Sequence, residues 1–254
     1  MRRIVRAALP TPVLRYLREK QREVDSGEPA SKVWEWARQT KSMRSVYEHL
    51  LSMAGKRERC MYCQDSRGVD IDHLWPKARY PERTFLWENL ILLCSGCNRK
   101  KGALFELDTR GSALLIDPTQ EDPWDHLFYD SRTGIVTARF LPTGQPDPRG
   151  DYTAERSKLP LNIQAVTEGR SKIQRNLERC VKRFFESVGA TVDQGALERE
   201  LLSCVEDNDE FGLGAWFVLR DGRDEPQFVK IRELFPNTWA TLEARLTYGT
   251  GSGS

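Results

Sequence analysis

The sequence lacks several features that would narrow its function at once. No apolar run approaches the roughly 20 residues that are needed to span a bilayer. The opening stretch MRRIVRAALPTPVL lacks the sustained apolar core of an export signal. We therefore expect a cytoplasmic protein with no membrane partner, in which disulfides would be reduced. The formal net charge of +2 over 254 residues indicates little by itself about nucleic acid.

Histidine is also scarce, since the chain has three, and few side chains can therefore act as a base near neutral pH. With 39% apolar and 30% charged residues, the composition is that of a globular protein with one large or two small domains. The charge is unevenly distributed. Residues 1–102 contain 21 Lys and Arg against 12 Asp and Glu, or +9, while the rest of the chain contains 18 against 25, or −7.

Four of the six cysteines form two CxxC pairs, Cys60/Cys63 and Cys94/Cys97, with 30 residues between the pairs. This spacing predicts a zinc ion held by four thiolates, which leave no open coordination position, so the zinc should brace the fold rather than catalyse. A structural zinc ribbon without any chemistry is the alternative. Cys180 and Cys204 fall on predicted helices, and we expect both to be free, buried side chains.

The residues between and beside the two pairs predict a compact ββα arrangement. VDIDH alternates apolar and polar residues, which indicates a strand ending at His73, and NLILLC indicates a second strand. SGCNRKKGALFE can then open a helix with Ser95 as its N-cap. These elements would bring His73, Asn89 and Asn98 near one another.

Those side chains suit metal-assisted hydrolysis. The imidazole of His73 can accept a proton from water at neutral pH. The carboxylate of Asp72 and the amide oxygen of Asn98 are hard ligands that suit Mg²⁺ or Mn²⁺. Taken singly, each residue could be an ordinary turn, surface or core residue, and their joint spacing favours a site.

Asp72-His73, Asn89 after LWE and Asn98 directly after the second CxxC resemble the motif of the HNH nucleases, in the variant whose third motif residue is asparagine. The resemblance implies an α+β fold with a zinc-braced ββα-metal core. It also implies that His73 is the general base, that Asp72 and Asn98 hold one divalent cation, and that Asn89 binds backbone and orients the imidazole. The implied reaction is hydrolysis of DNA phosphodiester bonds, one strand per site.

The stretch HLWPKARYPERTFLWENLILLCSGCNRKKG is similar to the HNH subfamily of bacterial antiphage defence, which includes the nuclease subunit of Septu systems and of some retrons. The resemblance extends loosely to about Val188 and implies a partner ATPase. Two alternatives stay open. The chain could be an autonomous nickase of another defence system, such as type II Zorya, or a catalytically silent subunit for zinc-dependent nucleic-acid binding or assembly.

Several basic and aromatic residues surround the motif. A solvated basic face is the alternative for the candidate phosphate ligands. Trp34, Trp36 and Tyr47 could stack bases, but their spacing favours a place in the core. We interpret His49 and His126 as structural. The candidate phosphate ligands are Lys77, Arg99, Lys100 and Lys101.

The chain divides into five predicted regions. Residues 1–55 are helical, 56–110 form the nuclease core, and 111–150 add a β-hairpin that turns at Thr133-Gly134. Residues 151–248 are mostly helical, with helices from about Asn162 and around Leu197 to Val205. The final GTGSGS, residues 249–254, is typical of an artificial linker.

Overall fold

The computed structural model describes residues 1–188 and 193–248, so the predicted linker lies outside the described residues. The chain forms two compact units. The first contains Met1, Arg3–Phe128 and Val136–Asn162, and the second contains Arg2, Tyr129–Ile135 and the chain from Ile163 onward. Two small sheets and a mostly helical C-terminal region confirm the predicted α+β class.

The first unit begins with three helices, α1 (Thr11–Asp25), α2 (Ala30–Ala37) and α3 (Lys41–Met53). The Thr40 side chain caps α3 by accepting the Met43 amide hydrogen. Apolar residues three or four positions apart face the core along α3. Trp36 contradicts the expectation of a core position, since it is 75% exposed while its neighbour Trp34 is buried. The buried residues of α3 are Met43, Val46, Leu50 and Met53.

The predicted ββα arrangement is present. Strand β1 (Asp70–His73) pairs antiparallel with β2 (Leu90–Leu93), and helix α4 (Ser95–Lys101) follows. All four residues of β2 are buried, which explains its unbroken apolar sequence. The expected cap was wrong by one position. Cys94 is the N-cap, since its Sγ accepts the Cys97 amide hydrogen at 3.4 Å, and Ser95 is the first helical residue.

Two strands alone make a marginal sheet, so β1 and β2 depend on what covers them. The segment that carries the first CxxC pair packs directly on β2, where Met61 donates its backbone N–H to the Leu92 carbonyl at 2.9 Å. Gly68 lies against the same strand. A Cβ there would lie 2.4 Å from the Leu92 side chain, so this close approach requires glycine.

The N-terminal helices cover the loop between β1 and β2. Gln21 of α1 accepts the Phe85 amide hydrogen at 2.8 Å and donates to the Pro81 carbonyl at 3.1 Å. Trp34 of α2 packs on His73, with ring centroids 4.3 Å apart, and on Phe85 at 5.4 Å. Helices α1 and α2 therefore pack directly on the segment that carries His73 and Phe85.

The predicted hairpin is also present, as β3 (Leu127–Asp130) and β4 (Ile135–Ala138), with Gly134 at a φ of +74° in the turn. A short helix, α5 (Pro148–Asp151), follows and continues as a π-helical turn (Tyr152–Arg156). His126, which precedes β3, lies between two carboxylates. Its Nδ1 is 3.0 Å from Asp147 and its Nε2 is 3.1 Å from Glu121, contacts that fit the structural role expected for it.

The second unit is built from helices. Helix α6 (Gln164–Ser187) is continuous over 24 residues and buries one apolar stripe together with Arg170, which donates to the Gly134 carbonyl. Phe217 and Phe228 stack with their ring centroids 4.7 Å apart. The helices are α6 (Gln164–Ser187), α7 (Gln194–Asp207), α8 (Leu213–Leu219), α9 (Pro226–Leu234) and α10 (Pro236–Tyr248).

Among the described residues of both units, no helix is both long and apolar enough to cross a membrane.

The expectation of two free, buried cysteines outside the zinc set was wrong. Cys180 of α6 and Cys204 of α7 form a disulfide, and both are half-buried. The Cα atoms lie 6.3 Å apart, because α6 and α7 pack side by side and present these positions to each other. The pairing joins residues that are 24 positions apart, so no local pattern could indicate it.

Candidate active site

The four cysteines of the two CxxC pairs meet in one buried cluster. Their sulfur atoms all lie within 4.8 Å of one another, and Cys63 Sγ lies 3.8 Å from Cys94 Sγ. A zinc ion with four thiolate bonds of about 2.3 Å has sulfur atoms about 3.8 Å apart, so the spacing fits a tetrahedral site. The cysteines are therefore arranged to hold a structural metal ion.

The electrostatics of the cluster also call for a cation. Burial raises the pKa of the Cys60 thiol well above its usual value, whereas hydrogen bonds from the neighbouring thiols lower the pKa of Cys94. Four thiolates so close together would repel one another strongly in a buried site. A dication bound by all four sulfur atoms would offset half of that charge, which is the chemistry of a zinc site.

His73, the proposed base, is the last residue of β1 and is 2% exposed. Its Nε2 lies 3.0 Å from the Thr84 carbonyl oxygen. A carbonyl can only accept, so Nε2 carries the proton and Nδ1 keeps its lone pair. Burial, followed by the positive charge of Lys77, lowers the pKa of His73 to about 3. The free imidazole is therefore neutral at physiological pH.

Asn89 holds the backbone around His73 through three hydrogen bonds. Its Oδ1 accepts the Trp75 amide hydrogen at 2.7 Å, and its Nδ2 donates to the carbonyls of Trp75 at 3.1 Å and Arg83 at 2.8 Å. Trp75 lies two residues after His73, and Arg83 immediately precedes Thr84. The amide thereby ties the end of β1 to the carbonyl that fixes the imidazole.

The prediction that Lys101 binds phosphate was wrong. A phosphate ligand must be accessible to the substrate, and Lys101 is buried. Its side chain is 1% exposed, and Nζ donates to the His73 carbonyl at 2.6 Å and pairs with Asp72 Oδ2 at 2.9 Å. The last turn of α4 faces the sheet, so the lysine is buried against β1. Lys101 is a structural cation that positions Asp72.

Asp70 is a functional candidate that the sequence reasoning missed. Its Oδ2 accepts a hydrogen bond from Asn98 Nδ2 at 3.2 Å, and both residues line one cavity together with Asp72 and His73. Asp70 and Asp72 are two positions apart on β1, so their side chains lie on the same face of the strand. That spacing was visible in VDIDH. The carboxylate and amide oxygens around this cavity fit a hard divalent cation.

The remaining predicted phosphate ligands fall into two groups. Lys77 is half-buried and lines the same cavity as Asp72 and His73. Arg99 and Lys100 are exposed on α4 and are not among the residues that line the cavity. The structure thus places one predicted cation beside the catalytic candidates and two on the outer surface.

Comparisons with known proteins agree with this geometry. Residues 60–104 match the model of the HNH endonuclease family. The stretch contains both CxxC pairs, His73, Asn89 and Asn98. The resemblance to HNH nucleases is therefore confirmed for the part of the chain that carries the site.

Three curated relatives match parts of the chain. A Septu protein PtuB from Bacillus thuringiensis is 32% identical over 31% of this chain and 30% of its own length. A Septu protein PtuB from Bacillus mycoides is 26% identical over 47% of this chain and 48% of its own. Protein ea31 of Escherichia phage lambda is 36% identical over 29% of this chain and 25% of its own.

The chain thus spans between a quarter and a half of the length of the relatives it matches. The two PtuB matches support the resemblance to Septu proteins. No solved structure matches the chain significantly.

Proposed function

We propose that the chain is a metal-dependent endonuclease that hydrolyses DNA phosphodiester bonds and cuts one strand per site. The observation that carries the proposal is the cavity in which His73, with a fixed tautomer and an open Nδ1, meets the oxygens of Asp70, Asp72 and Asn98. A base beside a set of hard ligands is what metal-assisted hydrolysis needs.

In this proposal His73 Nδ1 accepts the proton of the attacking water. The Thr84 carbonyl keeps the proton of Nε2 in place, and Asn89 holds the backbone that carries this carbonyl. An anionic phosphate beside the imidazole would favour its protonated form and so raise its low pKa toward the working pH. Magnesium or manganese, held by Asp72 and Asn98, would neutralise charge on the phosphate.

The zinc site would position the second ligand of that cation. Asn98 directly follows Cys97, and both lie on α4, whose first turn is anchored by the cysteine cluster. Loss of zinc should therefore remove activity and local structure together.

Incubation of the purified protein with supercoiled plasmid tests the proposal. Nicked product should require magnesium or manganese, and His73→Ala should slow its formation by roughly 100-fold or more, since a general base contributes at least that much. His49→Ala is a matched control, because His49 is not among the residues that line the cavity and its Nδ1 lies 2.7 Å from the Ser45 carbonyl of its own helix. Equal nicking by wild type and His73→Ala in a clean preparation would remove His73 as the base.

We also propose that the nuclease acts in antiphage defence beside a partner ATPase, as the resemblance to the Septu nuclease subunit implies. The support is the pair of PtuB matches. Cells carrying the gene with its chromosomal neighbours should resist infection, and His73→Ala should remove that resistance. Efficiency of plating measures both, and undiminished protection by the variant would contradict the proposal.

A further inference from the structure

The cavity at the candidate site has a second wall, which contains none of the motif residues. The volume of the cavity is about 560 Å³, within the range of ligand-binding clefts. One side is formed by β1, Lys77 and Asn98. The other side is formed by the end of α2, the start of α3 and the three residues between them. We call this side, residues 34–47, the α2–α3 wall.

The α2–α3 wall is basic. Arg38, Lys41 and Arg44 all line the cavity and are exposed, and none of the described residues of this wall that line it is acidic. Arg44 pairs with Glu48 at 3.5 Å. Within the described part of the chain, neither Arg38 nor Lys41 forms an ion pair, so both positive charges remain available to a ligand.

Lys77, which lines the same cavity, also responds to other positive charges. Burial lowers the pKa of Lys77, and the nearby positive charges of Lys101 and Arg38 lower it further, against the opposing effect of Asp72. Like charges held this close to a cavity are stabilised when an anion lies between them. Since Lys101 is buried and Arg99 and Lys100 lie outside the cavity, α4 does not supply that contact.

We infer that Arg38 and Lys41 of the α2–α3 wall bind backbone phosphates of the substrate strand and hold it against β1. The inference rests on the proposed function and adds a binding surface to it. Phosphate contacts of this kind fix the position of a strand without reading its sequence. The N-terminal helices are thus part of the substrate cleft as well as a cover for the core.

Fluorescence anisotropy with a labelled DNA duplex, in calcium in place of magnesium, tests the inference. Arg38→Gln/Lys41→Gln should weaken binding roughly tenfold at low salt and make the slope of log K against log salt shallower by about 2, one unit per lost phosphate contact. The matched control is Arg18→Gln/Lys32→Gln, which removes the same charge from exposed positions of α1 and α2 outside the cavity. The control should keep a slope closer to that of wild type.

Each outcome separates the two proposals. Equal slopes for the cavity variant and the control would overturn the inference while leaving the proposed nuclease intact. The cavity variant could lose binding selectively while wild type does not nick plasmid. That result would support phosphate binding by the α2–α3 wall and contradict the proposed nuclease activity. Absence of DNA binding by wild type would overturn both. Thermal unfolding and zinc content should match wild type for both variants, since all four side chains are exposed.

Discussion

Lys101 lies in a very different environment from its neighbours in the run Arg99-Lys100-Lys101. Three adjacent cations look alike in the sequence, yet the helical turn of α4 directs Lys101 onto the sheet and leaves the other two in solvent. Its partners, Asp72 and the His73 carbonyl, lie 28 or 29 positions earlier in the chain. Neighbouring charges in a sequence therefore do not share one role.

Replacing Lys101 with methionine should destabilise the protein. The variant removes the ammonium that pairs with Asp72 and leaves that carboxylate, which is 16% exposed, without its ion-pair partner. Breaking a fully buried pair typically costs about 3–5 kcal/mol, and we expect about 2–3 kcal/mol here because Asp72 is partly solvated. Urea unfolding measures the change.

Lys100→Met is the control for this prediction. It makes the same substitution one position earlier on α4, at an exposed residue, and should change the free energy of unfolding by less than about 0.5 kcal/mol. Comparable losses in the two variants would show that Lys101 is not the structural cation inferred from its contacts.

Elements differed in how far the sequence predicted them. β1, β2 and the hairpin were predicted because each has a local signal in its own residues: alternation, an apolar run, or a turn glycine. α4 was predicted from a candidate N-cap that proved to be one residue too late. Helix α2 lies within the region predicted to be helical, but its bounds were not predicted, since its eight residues contain little more than two turns of periodicity.

The site followed the same rule. His73, Asn89 and Asn98 were predicted as site residues from their side-chain types, their spacing to the cysteines and the resemblance to the HNH motif. Asp70 and the α2–α3 wall could not be assigned in this way, because their place in the cavity depends on how helices and strand pack. The Cys180–Cys204 bond likewise depends on the packing of α6 against α7.

The cysteine cluster should control the order of β1, β2 and α4 as one group. Cys97→Ser removes a buried ligand from the start of α4 and should release the metal, with loss of amide hydrogen-exchange protection in these three elements. Zinc content by elemental analysis and exchange mapped by mass spectrometry check the two effects. Cys180→Ser is the control and should retain one zinc per chain. Retained protection after metal loss would show that packing alone holds the elements.

The whole molecule contains two compact units, and each has its own crosslink. The cysteine cluster lies in the first unit, where it closes the span between the two CxxC pairs. The Cys180–Cys204 disulfide lies in the second, where it joins α6 to α7 across a separation of 24 residues. A metal chelator and a disulfide reductant should therefore act on different parts of the chain.

Reduction should lower the stability of the second unit alone. Opening a loop of this length costs about 3 kcal/mol in the chain-entropy account, because the unfolded chain gains freedom. We expect a phosphine reductant to leave zinc in place. It should lower the urea concentration at which helices α6–α10 unfold, while the zinc content stays unchanged. The variant Cys180→Ser/Cys204→Ser should unfold at the reduced midpoint and should not respond to the reductant. If the reductant shifted wild type and the double variant equally, its effect would not arise from the disulfide, and the assignment of one crosslink to each unit would fail.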